Sequence, residues 1–327
     1  MANLSKIIKS QLTIPLTILM SGIYLLLDFF VSAPADMSKE TKPVTGLLAF
    51  FLPDLSLIWN STALTVIALL TAFLLLQIID QYSLIREKST LPFVFFLAIG
   101  LQYIGINTSI ASAATVFFLG LSYLFLFYSY QQEKSQRAIF NFAMFFSIAS
   151  LFCLDLIWLT PLLFVALVFM RVFNIKNVAA IFFGITAPYI IAVFPYFILG
   201  KQQEMFSAFT SLIYFQLPDP HSWNAEEIIH SATTLLMILV TAFSLKFGLS
   251  QDKVRVRSSF DFLLLMYFVL FGLSLFKNSS LEAFHWSADF LAAYFLANYF
   301  TTKRGRVVNY LFILTLFLYV LTGILVL

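Results

Sequence analysis

The segment LEAFHWSADF, residues 281–290, carries a histidine and an aspartate four positions apart. In a helix, residues i and i+4 lie on one face a turn apart, so His285 and Asp289 are predicted to be neighbours. Imidazole and carboxylate side chains can act together as an acid–base pair or as metal ligands. The same spacing fits a structural hydrogen bond that lets Asp289 tolerate burial, and both interpretations stay open.

A second group of carboxylates lies near the end of the first apolar run of the chain. Asp28 falls inside the run 12–33, and Asp36 and Glu40 follow after it. An ionisable side chain within a membrane segment is a candidate functional group, because burying its charge in lipid is costly. Asp28 is close enough to the end of the run that hydration from the interface is the alternative interpretation.

The composition shows what kind of scaffold must hold these groups. Of the 327 residues, 61% are hydrophobic and 11% are charged, and the mean hydropathy is +0.94. Soluble domains carry about 25% charged residues, so this chain has more apolar surface than a water-soluble core can absorb. The single cysteine, Cys153, excludes an intrachain disulfide and a cysteine-based zinc site. We therefore expect an all-α polytopic membrane protein.

Apolar runs long enough to cross the hydrocarbon layer recur along the whole chain. They predict eleven transmembrane helices, and we expect a single integral membrane domain over residues 1–327. The first run is too long for the 7–15-residue apolar region of a signal peptide, so it is predicted to remain as a span. Cleavage after Ala35, which would remove Asp28, is the alternative. The predicted spans are 12–33, 57–79, 92–106, 110–129, 138–153, 156–170, 178–199, 230–249, 259–276, 283–300 and 307–326.

The stretch 138–170 decides the topology, because it can be read as one long helix or two short ones. One helix would be about 50 Å long, well beyond the roughly 30 Å hydrocarbon layer. With two helices and a cytoplasmic N-terminus, 15 of the 19 Lys and Arg residues lie on the inner side. With one helix only 8 do. The positive-inside rule thus favours two helices and a C-terminus outside.

This topology places most titratable groups on the outer side. Eleven of the sixteen acidic residues fall there, together with all three histidines, His221, His230 and His285. Two outer loops, 34–56 and 200–229, are long enough to be partly structured. In the second, the apolar residues Met205, Phe206, Phe209 and Ile213 follow helical spacing.

The sequence lacks the motifs that mark several function classes. The chain has no GxxxxGK[ST], GxGxxG, HExxH or GxSxG pattern, so no nucleotide site is predicted. The basic loops are short and lie where topology requires them, which gives no support for nucleic-acid binding. Membrane lipids are the partners that the composition implies.

Two resemblances add to this interpretation. The segments IREKSTLPFVFFLAI and SQRAIFNFAMFFSIASLF, within roughly the first 200 residues, resemble an uncharacterised family of bacterial multi-pass inner-membrane proteins, which implies that location but no activity. The order of elements is similar to that of the C-type glycosyltransferases. The shared features are an inner N-terminus, a structured first outer loop, short hairpins for spans three to six and a long outer loop after span seven.

The second resemblance implies a glycosyltransferase-like protein that handles a lipid-linked envelope substrate at the outer face. On that reading Asp28, Asp36 or Glu40 is the general base, and Lys201 or Lys277 meets the substrate phosphate. His285 and Asp289 are the further catalytic candidates, and a divalent metal is left open. A transporter or flippase, or a non-catalytic scaffold of an envelope complex, is the alternative.

Overall fold

The computed structural model describes most of the chain from residue 57 onward and short pieces before it. All elements in this part are helical. The described residues are 13–15, 17–20, 22–23, 46–48, 57–100, 109–213, 225–246, 248, 253–276 and 281–326. The α-helices from residue 57 onward are α1 (Leu57–Tyr82), α2 (Leu91–Gly100), α3 (Ile110–Tyr128), α4 (Gln136–Phe152), α5 (Thr160–Phe169), α6 (Ile175–Ile198), α7 (Gln202–Ser211), α8 (Ala225–Lys246), α9 (Val254–Phe276), α10 (Leu281–Thr302) and α11 (Arg306–Val326).

The all-α class is confirmed for the described residues, and each predicted span from the second to the eleventh overlaps a helix. Six helices, α1, α3, α6, α8, α9 and α11, are long and apolar enough to cross a membrane. The α2, α4 and α5 segments are apolar but shorter, and α10 is not among the six. The structure therefore supports a multi-pass membrane protein with six candidate spans.

The stretch 138–170 is broken into two α-helices with a 3₁₀ helix, Leu154–Leu159, between them. The chain leaves α4 at Cys153, which has extended backbone angles, and Pro161 lies in the first turn of α5, where its missing N–H costs nothing. The Gln131 N–H, just before α4, donates to the carbonyl of Met170, just after α5. Since α5 thus returns to the end where α4 begins, the two helices form a hairpin and a single long helix is excluded.

One end of the bundle gathers the basic loops and is called the basic end. It comprises residues 83–90, 129–135, 170–174, 248 and 253, and 303–305, with the helix turns that adjoin them. Arg304 lies 2.6 Å from Glu87, and the Arg86 guanidinium donates to the Gly248 carbonyl. Among the basic residues that the structure describes, all but Lys201 lie at this end. The loops predicted to be cytoplasmic therefore do share one side.

The opposite end holds a small packed unit, the outer cap. It consists of residues 46–48, the tip of the α4–α5 hairpin, the end of α6, and α7. The Tyr196 hydroxyl donates to the Leu47 carbonyl at 2.7 Å, and the Leu48 N–H donates to the Leu151 carbonyl at 3.0 Å. Gly46 lies against the Phe152 backbone so closely that any Cβ there would overlap the carbonyl. The outer cap fixes one point of the predicted loop 34–56.

Helix α10 occupies the centre of the bundle and packs against α2, α3, α8 and α9. Every residue from Ala283 to Thr301 is buried. Aromatic rings surround it: Phe290 meets Phe96 edge-on at 5.8 Å between ring centroids, and Phe300 stacks on Phe95 at 5.5 Å. Alanines along α10 let the neighbouring helices approach closely. The most buried helix is thus also the one that carries His285 and Asp289.

Candidate functional site

The centre of the candidate site is a hydrogen bond between His230 of α8 and Asp289 of α10. The His230 Nε2 atom lies 3.0 Å from Asp289 Oδ2, and the two side chains are only 2% and 4% exposed. Both helices start at the end opposite the basic end. Asp289 is eight residues into α10, which places it about 12 Å from the start of the helix at 1.5 Å per residue. The pair therefore lies inside the half of the bundle opposite the basic end.

Burial explains why these two groups are found together. An isolated carboxylate in an apolar interior costs several kcal/mol, and a partner that donates a hydrogen bond offsets much of that cost. His230 supplies such a donor when its Nε2 is protonated. In the neutral tautomer with the proton on Nε2, the other ring nitrogen, Nδ1, carries the lone pair that accepts a proton. The pair can therefore take up a proton while the carboxylate stabilises the imidazolium.

Two further helices contribute hydroxyl groups around the pair. The Tyr319 hydroxyl of α11 is 3.4 Å from the Thr234 hydroxyl of α8, and its ring centroid is 5.9 Å from that of His230. Tyr267 of α9 and Tyr319 both interact electrostatically with the Asp289 carboxylate. We call this set, His230, Thr234, Tyr267, Asp289 and Tyr319, the His–Asp site. It draws on four helices, α8 to α11.

His285 lies beside this site, as its sequence spacing predicted. It is buried on α10 one turn before Asp289, and it interacts electrostatically with His230. The hydrogen bond at Asp289 Oδ2 goes across to His230, whereas the sequence had offered His285 as the local partner.

The other predicted site residues are not brought to the His–Asp site by the described part of the chain. Lys201 belongs to the outer cap, directly before α7, and its ammonium group is 3.6 Å from the Glu204 carboxylate. Asp28, Asp36, Glu40 and Lys277 lie outside the described residues.

Sequence reasoning missed four members of the site. His230, Thr234, Tyr267 and Tyr319 were not among the predicted residues. Only His230 gave a signal, since it was assigned to the outer side with His285. Its contact with Asp289 joins positions 59 residues apart on different helices, and local spacing carries no information about such a contact.

The described residues provide no ligand set for the divalent metal that the sequence analysis left open. Within the described ranges, no three His, Cys, Asp or Glu side chains are grouped so that they could hold an ion. The chemistry available at the His–Asp site from these residues is proton transfer and hydrogen bonding.

An open apolar groove of about 490 Å³ runs along the outside of α11. It is lined by α11 residues from Val307 to Phe317, two residues before Tyr319 of the His–Asp site. Phe317 is exposed whereas Tyr319 is buried, so the groove and the His–Asp site lie on opposite faces of α11.

Comparison with known proteins identifies no relative for this arrangement. The chain matches no family model, no curated protein and no solved structure. The function must therefore be argued from the site itself.

Proposed function

We propose that this chain is a multi-pass protein of the bacterial inner membrane that transfers a group from a lipid-linked envelope substrate at its outer face. The observation that carries the proposal is the buried hydrogen bond between His230 and Asp289. Ionisable residues inside a membrane bundle are costly and are often retained for function. This pair combines a proton acceptor with a carboxylate that stabilises the protonated form, which is what hydroxyl activation requires.

The charge distribution supports the orientation. Because Lys and Arg concentrate in cytoplasmic loops, the basic end is assigned to the cytoplasm. The His–Asp site, in the opposite half, then faces the outer leaflet. In this topology the chain crosses the membrane eleven times, with the N-terminus inside and the C-terminus outside.

The proposed reaction is the transfer of a sugar from a lipid phosphate to an acceptor hydroxyl. The acceptor oxygen attacks the anomeric carbon, its proton passes to His230 Nδ1, and the bond to the phosphate oxygen breaks with its electron pair. Asp289 stabilises the resulting imidazolium through Nε2. Lys201 and Lys277 are proposed to meet the phosphate, while Asp28, Asp36 and Glu40 provide further carboxylates from the first outer loop.

The test compares His230→Gln and Asp289→Asn with His285→Gln in a strain that lacks the chromosomal gene. Envelope glycolipids are quantified by mass spectrometry. Removing a general acid–base group costs about 10²–10⁴-fold in rate, so both site variants are expected to lose the product. His285→Gln is expected to retain more product than either, because Asp289 hydrogen-bonds to His230. Size-exclusion chromatography confirms that each variant folds.

Full product formation by folded His230→Gln and Asp289→Asn would reject the catalytic site and leave the scaffold interpretation. The transporter alternative predicts a polar cavity near the middle of the membrane. The described centre of the bundle is instead packed with rings, such as Phe295 against Phe260 at 5.1 Å. This packing favours chemistry in the outer half over passage through the centre.

A further inference from the structure

Helix α7 follows directly after the outer end of a candidate membrane span. Span α6 ends at Ile198, and Gly200 adopts φ +68°, a left-handed conformation that glycine allows at low cost. The Lys201 N–H then donates to the Tyr196 carbonyl at 2.9 Å. This turn closes α6 and reverses the chain within a few residues.

The buried stripe of α7 shows where the helix goes after the turn. Met205, Ala208, Phe209 and Leu212 recur at helical spacing and pack in the outer cap. The Phe209 ring lies 6.4 Å from the ring of Tyr189, which is nine residues before the end of α6. Nine residues correspond to about 13 Å along a helix. Helix α7 therefore folds back beside α6 and points toward the membrane interior.

The exposed surface of α7 has two different sides. Phe206 of α7 and Ile213, two residues after its end, are seven positions apart and 60% and 75% exposed, and the exposed Thr210 lies between them. Ser207 follows Phe206 in the chain and therefore points about 100° away from it around the helix axis. Gln203, one turn before Ser207, lies on the same polar side. The last turns of α6 are also apolar and exposed, at Phe194, Phe197 and Ile198. Helix α7 thus packs beside a part of a candidate span that itself exposes apolar side chains.

We propose that α7 is a re-entrant helix whose Phe206 and Ile213 side inserts among the acyl chains of the outer leaflet. Lipid is the occupant because α7 lies at the depth of the last turns of α6, a candidate span whose exposed side chains there are apolar. The polar side, with Gln203 and Ser207, stays in the head-group region or in water. This assignment does not depend on the catalytic proposal.

The experiment places a single nitroxide label on the full chain at Phe206→Cys, Ile213→Cys or Ser207→Cys. The protein is reconstituted in vesicles of phosphatidylethanolamine and phosphatidylglycerol. Electron paramagnetic resonance measures collision with oxygen, which partitions into lipid, and with a water-soluble nickel chelate. Unsubstituted protein gives the background, since its one cysteine, Cys153, is buried. Ser207→Cys is the matched control, one residue from Phe206 and on the other side.

The ratio of oxygen to nickel collisions is expected to be lowest at position 207, several-fold higher at 206 and highest at 213, which lies deeper. Equal nickel access at 207 and 213 would overturn the proposal by placing α7 in water. Shielding of 206 and 213 from both reagents would overturn it in favour of a protein partner. Phe206→Trp retains an aromatic side chain and provides a second measurement. Its added fluorescence should be quenched by lipids brominated on their acyl chains, and no quenching would contradict insertion.

Discussion

Helices α6 and α10 have similar lengths but very different relations to their surroundings. In α6 the most apolar window has a mean hydropathy of 2.0, and only 22% of that window is buried. Helix α10 carries Glu282, His285, Asp289 and Asn298, and it falls outside the candidate spans, yet nearly all of it is buried. A long helix that falls outside the candidate spans thus lies at the centre of the bundle.

The difference shows that hydropathy reports contact with lipid more than distance from water. A helix that faces acyl chains must be apolar all round, because lipid offers no hydrogen-bond partner. A helix enclosed by other helices can hold polar side chains when its neighbours supply partners, as His230 does for Asp289. The polar residues of α10 and the exposed phenylalanines of α6 are both explained by what surrounds each helix, which is protein for α10 and lipid for α6.

The largest expected effect comes from breaking the polar pair of α10. Asp289→Ala leaves His230 buried beside an apolar side chain, and losing one partner of a buried pair costs about 3–5 kcal/mol. Thermal unfolding in detergent should show a lower midpoint. Glu204→Ala, at an exposed pair on α7, should change the free energy of unfolding by less than about 1 kcal/mol.

The double variant His230→Leu with Asp289→Leu tests the same point from the other side. Replacing a whole buried pair by apolar residues is often neutral in stability, so it should unfold at a higher temperature than Asp289→Ala. A lower unfolding temperature for the double variant than for Asp289→Ala would show that the cost of burying polar groups does not explain the contact between His230 and Asp289.

A smaller effect is expected from adding volume to each helix. Ala293 of α10 is fully buried, and Ala293→Leu should cost about 1–3 kcal/mol through overpacking. Ala179 of α6 is exposed, so Ala179→Leu should leave stability nearly unchanged. Equal losses in detergent-based unfolding would show that α6 is covered by protein and would end the contrast between the two helices.

The smallest expected effect distinguishes a helix position packed tightly against a neighbour from one with open space around it. A Cβ at Gly184 would lie 2.7 Å from the Phe140 carbonyl and from the Ala143 Cβ, so Gly184→Ala should cost about 1–2 kcal/mol. Gly272 of α9 has open space around it, and Gly272→Ala should stabilise by about 0.5–1 kcal/mol. The same unfolding midpoints should shift in opposite directions, and a gain from Gly184→Ala would contradict close α4–α6 packing.

Much of the fold could be predicted because apolar runs and loop charges are local signals. The runs located the helices from residue 57 onward, and the charge distribution correctly separated 138–153 from 156–170. The relation between His285 and Asp289 also followed from spacing alone. The contribution of His230 could not be predicted, since it depends on how α8 packs across α10. The same holds for Tyr267 and Tyr319, because the sequence does not distinguish them from other tyrosines in apolar runs. Their position beside Asp289 depends on how α9 and α11 pack.

The contact between Leu47 and Tyr196 has a consequence for the order in which the protein is made. The two residues are 149 positions apart, so the hydrogen bond can form only after α6 has been synthesised. Gly46 and Leu48 can dock earlier, because their partners Leu151 and Phe152 precede α6 in the chain. The outer cap is therefore completed only when α6 has been made, and residues 46–48 of a nascent chain halted before Tyr196 should be cut by added protease more readily than in the full chain.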